Sequence, residues 1–366
     1  MIALNLKLNN IYGFSDFNID FSYPKRIVKS LLEDEFLEGR PNFRYKKAVI
    51  LMGANATGKT SLGKALLNIV NFINSGDPSA LHSLPLSNEK ASFQIDFVNS
   101  GYVLHRLTGE LTESENGNEL HLKYSCTDIL PRDSYESCRD KLTICDIKDY
   151  AELCKRIGKI EYTFSCPDIK PTTKVSKIKK SLALKTLKAV IGTLDPTLTD
   201  ISISKDLRNS FIIRRKREEI IIQDGKLLNR DSLSSGTAEG VDISFFLALL
   251  MAERNGLYYC DEHFSYIQSD IEKRIFALMV EYLGRHGQLI FTTHNTDMLD
   301  LNLPKHCFAF LRKKEEDEYN VCVTYASEIL KRNTDSIRCA VENDMFSSLP
   351  DESLLDDLEM RYDDEE

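Results

Sequence analysis

Residues 53–60 read Gly-Ala-Asn-Ala-Thr-Gly-Lys-Thr and have the spacing G-x-x-x-x-G-K-[ST]. Two glycines let the backbone curl so that successive amides point at one anion. A lysine here reaches the β- and γ-phosphates of a nucleoside triphosphate, and the following hydroxyl binds Mg²⁺. The pattern predicts a phosphate loop whose ligand-binding residues are Gly53, Asn55, Ala56, Thr57, Gly58, Lys59, Thr60 and Ser61.

The segments on either side of this phosphate loop have the patterns that the motif requires. Ala48 to Met52 is a short apolar run typical of a buried strand. After the loop, apolar residues recur at helical spacing, at Leu62, Ala65, Leu66, Ile69, Val70 and Ile73. The order strand, loop, helix is predicted.

Two carboxylates follow a second apolar run, Leu257 to Cys260. Asp261 is placed to hold Mg²⁺, directly or through water, and Glu262 to polarise an attacking water. The alternative is an ordinary acidic corner between a strand and a loop. The phosphate loop favours the metal and base assignments.

A third apolar run, Leu289 to Phe291, leads through two threonines to His294. We expect His294 to sense the γ-phosphate by donating a hydrogen bond as charge builds in the transition state. A histidine after a strand is often only a surface residue. Its position after Asp261 and Glu262 favours the sensor.

Residues 233–237, Leu-Ser-Ser-Gly-Thr, precede an apolar helix predicted from Val241 to Met251. Serine and glycine at a helix start form an anion site from amides and the helix dipole. Ser234, Ser235 and Gly236 would then be a second phosphate-binding segment for one triphosphate. A head-to-tail dimer, in which each segment caps the nucleotide of the other chain, explains both.

Together these residues resemble the ABC-type ATPase heads of the SMC, RecF and overcoming-lysogenisation-defect group, in particular compact prokaryotic AAA-type proteins of phage-defence loci. The resemblance implies an α/β phosphate-loop NTPase of ABC-head type, with a mixed sheet, an antiparallel N-terminal part and a helical or mixed second lobe. It assigns Walker A to residues 53–60, Walker B to Asp261 and Glu262, the switch histidine to His294 and the ABC signature to residues 233–237. Lys59, Glu262 and His294 are then catalytic, and Thr60 and Asp261 are metal ligands.

Some positions depart from the family pattern. Ser235 replaces the first signature glycine and Thr237 replaces the glutamine. The aspartate of the transporter-type D-loop is missing, with Ser265 and Gln268 in that region. Gln94, on a predicted strand, is a weak candidate for the Q-loop glutamine.

The resemblance implies a cytoplasmic ATPase that uses ATP and Mg²⁺ and dimerises around them. In this reading the protein controls a nuclease or toxin partner in anti-phage defence. A DNA-repair ATPase like RecF is one alternative, and an ATP-gated scaffold with negligible turnover is another. DNA contact would run through the lysines of Lys170–Lys188 and the cluster Arg214–Arg217, which could equally be solvated or neutralised by neighbours.

The predicted head spans residues 1–345, with a nucleotide-binding lobe from 1–108 and 255–330 and a second lobe from 109–254. Residues 346–366 form a predicted acidic tail. From Asp351 onward it holds nine acidic residues and one arginine, so of the net charge of −9 only −1 belongs to the other 350 residues. We expect a solvated tail, with a docking strip for a basic partner or a DNA mimic as alternatives.

Cysteine and hydropathy patterns exclude other classes. The nine cysteines include no C-x-x-C pair, which favours reduced thiols over a zinc site. No apolar run approaches the roughly 18 residues that cross a bilayer, so no membrane span is expected. We also expect a helical stretch around 27–36 and leave residues 110–170 without assignment.

Overall fold

The fold is described from a computed structural model, over residues 1–27, 30, 32–85, 90–99, 101–114, 117–169, 178–216, 218–314, 317–332 and 334–348. The strands are β1 Ile2–Asn9, β2 Phe17–Asp20, β3 Phe36–Leu37, β4 Arg40–Arg44, β5 Ala48–Met52, β6 Ala91–Val98, β7 Val103–Ser114, β8 Gly117–Asp128, β9 Thr143–Ile144, β10 Tyr162–Ser165, β11 Asp200–Ile203, β12 Ser210–Arg215, β13 Glu218–Gln223, β14 Lys226–Leu227, β15 Leu257–Asp261, β16 Gln288–Thr292, β17 Phe308–Lys314 and β18 Asp317–Tyr325. The helices are α1 Lys59–Ser75, α2 Tyr135–Arg139, α3 Tyr150–Ile157, α4 Lys180–Leu194, α5 Ser235–Glu253, α6 Ser269–Tyr282, α7 Ala326–Ile329 and α8 Ile337–Glu342.

A mixed sheet in the order β10-β15-β16-β5-β17-β18 forms the centre of the protein. β10, β15, β16, β5 and β17 are parallel, and β18 closes one edge antiparallel to β17. The residues of β5, β15 and β16 are all buried, because helices or the second sheet cover both faces.

The N-terminal part is an antiparallel sheet in the order β2-β1-β6-β7-β8-β9. β1 pairs with β2 and β6 with β7, both antiparallel, in line with the antiparallel N-terminal part that the resemblance implies. Apolar side chains of this sheet pack with the inner face of α1, and Phe14, Phe93 and Leu66 are fully buried there. The antiparallel sheet and α1 thus form one core cluster beneath the phosphate loop.

A smaller antiparallel sheet, β11-β12-β13-β14, packs with α4 and α5 around a separate core cluster. Phe211 of β12 lies against Phe245 of α5, with ring centroids 5.9 Å apart. Strand pairing joins β8 to the N-terminal antiparallel sheet and β10 to the central sheet, so residues 117–128 and 162–165 belong to the two six-stranded sheets. The two-lobe division of the chain stays a proposal.

Two expectations from the sequence need correction. The described residues around 27–36 hold no helix, and β3 begins at Phe36. α5 is long and apolar enough, by length and composition alone, to cross a membrane, whereas no such run was expected. Most of α5 is buried inside the protein, and a core helix passes the same test.

Phe346 packs its ring on Phe310, with centroids 4.0 Å apart, and is buried. The start of the predicted tail therefore belongs to the core of the head. The acidic residues from 351 onward lie outside the described residues, and so do residues 170–177 of the lysine-rich stretch.

Candidate functional site

The carboxyl ends of β5, β15 and β16 gather the predicted chemical groups at one edge of the central sheet. β5 leads into the phosphate loop, β15 ends at Asp261, and His294 comes two residues after β16 ends. Asp261 is directly opposite Thr292 in the parallel register. Parallel strands put their carboxyl ends together, which explains how segments far apart in sequence form one site.

The phosphate loop closes tightly around its two glycines. Gly53 has φ +154° and Gly58 has φ +92°, a conformation that L side chains rarely adopt. A Cβ on Gly58 would lie 2.7 Å from the ring of Phe14. The Thr57 hydroxyl donates to the Ala54 carbonyl at 2.9 Å and holds the loop closed.

The N-terminus of α1 points its free amides into this loop. The Leu62 amide donates to the Gly58 carbonyl at 2.9 Å. The amides of residues 59–61 come before it and have no acceptor within the helix. They and the helix dipole favour an anion at this point.

The carboxylate of Glu262 links Lys59 to His294. The Lys59 ammonium donates to the carbonyls of Gly53 at 2.8 Å and Ala54 at 3.1 Å. It also lies 3.3 Å from Oε1 of Glu262. The same oxygen accepts from Nε2 of His294 at 2.9 Å. The predicted base, Glu262, is therefore in direct contact with both the predicted lysine and the predicted sensor.

Thr60 and Asp261 form the predicted metal-binding pair. The Thr60 hydroxyl donates to Oδ2 of Asp261 at 2.6 Å. Thr292 donates to the other carboxylate oxygen at 2.7 Å. A hydroxyl and a carboxylate oxygen in contact are the hard ligands that Mg²⁺ prefers, so these residues fit the ion.

The pKa values of the two carboxylates, Asp261 and Glu262, are shifted in opposite directions. Burial raises the pKa of Asp261, against the hydrogen bonds from Thr60 and Thr292. The hydrogen bond from His294 lowers the pKa of Glu262, and Lys59 adds to this. Burial lowers the pKa of Lys59, while Glu262 acts in the opposite direction. Glu262 is thus held ionised beside its partners, and Asp261 is a buried carboxylate whose charge a divalent cation would stabilise.

The backbone at Glu262 is unusual. Its φ is +50°, a left-handed conformation that is uncommon outside glycine. The Thr292 hydroxyl accepts from its amide at 3.1 Å and supports this geometry. Such strain concentrates at functional sites, where surrounding contacts hold it in place.

The signature segment, residues 233–237, lies at the N-terminus of α5. Ser234 caps this helix by accepting from the amide of Thr237 at 3.2 Å. A Cβ on Gly236 would lie 2.5 Å from the carbonyl oxygen of Tyr266, so the segment packs against the chain that follows Glu262. Ser234 and Ser235 are exposed. Within the described part of the chain, the hydrogen bonds of the Ser234 side chain stay in its own helix turn and do not reach the phosphate loop.

Several residues that support the site were not predicted. Tyr259 of β15 donates its hydroxyl to the Lys59 carbonyl. Thr292 contacts both Asp261 and Glu262. Glu272 of α6 contacts the residues on both sides of His294. The threonines beside His294 were a signal that went unused, because buried hydroxyls need partners.

The predicted DNA-binding patches differ in their charge balance. Arg214 pairs with Glu219 and Asp200, at 2.9 and 3.0 Å, across the strands of the small sheet. Arg215 pairs with Glu218 at 2.8 Å. Arg214 and Arg215 are therefore neutralised by their neighbours, whereas Lys216 is exposed. On α4, the side chains of Lys180, Lys185 and Lys188 are exposed.

Gln94, the weak Q-loop candidate, lies within β6, paired with β1 and β7.

The cysteines form no disulfides, and one of them lies beside a buried histidine and a buried carboxylate. All nine cysteines are free, as expected. Glu35, His306 and Cys307 come together in the interior. His306 and Ser30 hydrogen-bond to the two carboxylate oxygens of Glu35, at 2.5 and 2.6 Å, which satisfies that carboxylate without a metal ion.

Comparison with known proteins supports the fold. No family model matches this sequence, and none of the curated proteins matches it. It is similar in structure to an SMC head bound to the C-terminal winged-helix domain of ScpA, with a TM-score of 0.51, 14% identity, and coverage of 89% of this chain and 98% of that one. A Smc head with an extended coiled coil bound to the C-terminal domain of ScpA, from Pyrococcus furiosus, has a TM-score of 0.50 and 13% identity over 90% and 98%.

The chain therefore has the fold of an SMC head. This confirms the predicted α/β fold class. At such low identity the likeness concerns the fold alone, so the narrower phage-defence group stays a prediction.

Proposed function

We propose that this protein is an ATP-hydrolysing switch whose heads close in pairs around Mg²⁺-ATP. One observation carries the proposal, the convergence of a phosphate loop, two acidic residues and a histidine at one edge of the central sheet. The chemical groups are Lys59, Thr60, Asp261, Glu262 and His294.

Each group has a task in this proposal. Lys59 and the free amides of α1 bind the phosphates. Thr60 and Asp261 hold Mg²⁺, which neutralises charge on the β- and γ-phosphates. Glu262 orients the attacking water, and His294 stabilises the charge that develops in the transition state.

The signature segment supports a head-to-tail dimer. Ser234, Ser235 and Gly236 provide a second set of helix N-terminal groups, with both serines exposed. In our proposal they cap the triphosphate held by the phosphate loop of a second chain. Hydrolysis or product release then separates the heads.

The output of the switch is proposed by resemblance. We place the protein in the cytoplasm, in anti-phage defence, where the ATP-bound dimer controls a nuclease or toxin partner. The similar SMC heads were solved bound to ScpA, which is consistent with a head of this fold engaging a protein partner.

One observation favours a second candidate, a RecF-like DNA-binding ATPase. α4 presents exposed lysines at 180, 185 and 188, although Lys188 lies 3.7 Å from Asp200. ATP-strengthened DNA binding that weakens steeply with salt would support this candidate. Failure to bind DNA at low salt would remove it.

Substitution of Glu262 tests the proposed function. Glu262→Gln should lower ATP turnover by about 100-fold or more, the scale of general-base catalysis, while ATP binding is retained. The variant should accumulate as an ATP-dependent dimer in size-exclusion chromatography. Turnover at the wild-type rate would contradict the assigned role. ATP-dependent dimerisation of a wild-type protein without turnover would favour the non-hydrolysing scaffold.

A further inference from the structure

Glu272 is a buried carboxylate that lies behind the site. It is in the first turn of α6 and is 1% exposed. Its Oε1 accepts from the Thr293 hydroxyl at 2.7 Å, and its Oε2 accepts from the side-chain amide of Asn295 at 2.6 Å. Both carboxylate oxygens are used, and both donors come from one short loop.

These donors are the residues on either side of His294. The Thr293 hydroxyl also accepts from the Asn295 amide at 3.0 Å, so the loop is bonded to itself as well as to Glu272. His294 lies between the two fixed points with its side chain 44% exposed, and it reaches Glu262 at 2.9 Å. The backbone on both sides of the histidine is thus fixed by Glu272, while the ring itself is bonded to Glu262 and partly exposed.

α6 is also the helix that follows Glu262. Residues 263–268 connect Glu262 directly to the start of α6. Contacts from Glu272 to the His294 loop therefore join the element after the proposed base to the element that carries the proposed sensor.

We propose that Glu272 is a positioning residue that sets the placement of His294 relative to Glu262. This inference rests on the proposed function, because it assigns Glu272 a role in the same reaction. Glu272 does not touch the reacting atoms in this proposal and acts only through the loop 293–295.

The chemistry of Glu272 supports positioning over packing. Burial raises its pKa, so keeping a carboxylate here costs free energy that an apolar residue would avoid. Two short hydrogen bonds to a charged acceptor are stronger and more directional than apolar contacts. They restrict the loop in a way that a leucine could not.

Glu272→Gln tests the proposal, because it keeps the shape but replaces one acceptor with an amide donor. A displacement of about 1 Å at a catalytic group can cost about 100-fold, so we expect kcat to fall by about 10- to 100-fold with little change in KM for ATP. Glu281→Gln, an exposed position on the same helix, is the matched control and should behave as wild type.

A double-mutant cycle separates positioning from a general structural role. If Glu272 acts through His294, Glu272→Gln should have no further effect on kcat in the His294→Ala background. An equal loss in both backgrounds would overturn the proposal. Thr293→Val removes one of the two hydrogen bonds to Glu272 from the loop side. It should also lower kcat, and it provides the test if Glu272→Gln folds poorly.

Hydrogen exchange gives a readout that does not need turnover. The amides of Asn295 and Asp297 are bonded within this loop, at 3.0 Å each. In Glu272→Gln they should exchange faster, with no change in Glu281→Gln. Unchanged exchange would overturn the role of Glu272, whatever the turnover. Absence of ATP turnover in the wild-type protein would instead contradict the proposed function. Faster exchange in Glu272→Gln would still be expected in that case, because it depends only on the contacts of Glu272.

Discussion

The ammonium of Lys59 and the carboxylate of Glu262 are in contact, with Nζ 3.3 Å from Oε1. The Lys59 side chain is 3% exposed and also donates to two carbonyls of the phosphate loop. A triphosphate in the loop would compete for all of these bonds. We infer that nucleotide binding and release of Glu262 from Lys59 are linked, which would free the carboxylate to orient water only when substrate is present.

Removal of the Thr60 hydroxyl should weaken the use of Mg²⁺. Thr60→Val keeps the volume but loses the oxygen that contacts Asp261 at 2.6 Å. Loss of even an outer-shell partner lowers metal affinity by about 10- to 100-fold, so loss of the Thr60 ligand should raise the Mg²⁺ concentration for half-maximal turnover by at least about 10-fold. Thr60→Ser retains the hydroxyl and should stay near wild type. An unchanged Mg²⁺ requirement in Thr60→Val would exclude Thr60 as a ligand.

Mixing two inactive variants should restore turnover if each site is built from two chains. Lys59→Ala removes the phosphate-binding lysine. Ser235→Glu adds a charge that repels the phosphates, yet an acidic residue at a helix N-terminus is compatible with the helix. A heterodimer of the two variants has one site with both defects and one intact site.

We therefore expect ATPase activity in the mixture and none in either variant alone. Titration of one variant into the other, followed by phosphate release, measures it. Ser235→Ala should keep activity, since it removes only a small side chain. A mixture that stays inactive would contradict the head-to-tail arrangement.

Acid should destabilise the protein partly through His105. This residue is 3% exposed and contacts the Tyr124 hydroxyl at 2.8 Å. Burial lowers its pKa from 6.5 to about 4. Between these values the unfolded chain binds a proton that the native state does not. Stability from His105 is therefore full above pH 6.5 and is lost as pH falls towards 4, by about 3 kcal/mol in total.

Urea unfolding at pH 7 and pH 4.5 measures this effect. His105→Gln should lose less stability on acidification than wild type, whereas His121→Gln, at an exposed position of β8, should match wild type. Each variant is compared with wild type because other groups also titrate in this range. The raised pKa values of Asp261 and Glu272 add stability as the pH falls, which opposes the effect of His105. An identical loss in His105→Gln and wild type would contradict the assignment.

The central motifs were predictable because they are local in sequence. The strand before Gly53 is a continuous apolar run, and the helix that begins at Lys59 has apolar residues at helical spacing. The structure has both elements where they were expected. Asp261 and His294 could also be placed, since each follows a fully buried run. Parallel strands with buried faces bring such ends together, and this general rule sufficed.

The region from 110 to 170 was left without assignment, and only part of its structure could have been predicted from the sequence. β8 is 12 residues long, but among its described side chains only Tyr124 is fully buried. Its stability comes from pairing with β7 along the whole strand, from Val103 opposite Asp128 to Ser114 opposite Gly117. Leu120, Leu122, Tyr124 and Cys126 do alternate along β8 and pack on the core of the antiparallel sheet, but such a run does not tell which strand it will pair with.

The sequence by itself determined the phosphate loop, the order of the motifs and the α/β class, because glycine geometry and apolar periods act over a few neighbouring residues. Only the tertiary structure decided which charges meet. Arg214 is neutralised by strands on both sides, and Glu262 contacts both Lys59 and His294. Glu272 binds the residues that flank His294. Such pairings depend on the packing of distant elements, and electrostatic interactions act through space without leaving a local pattern.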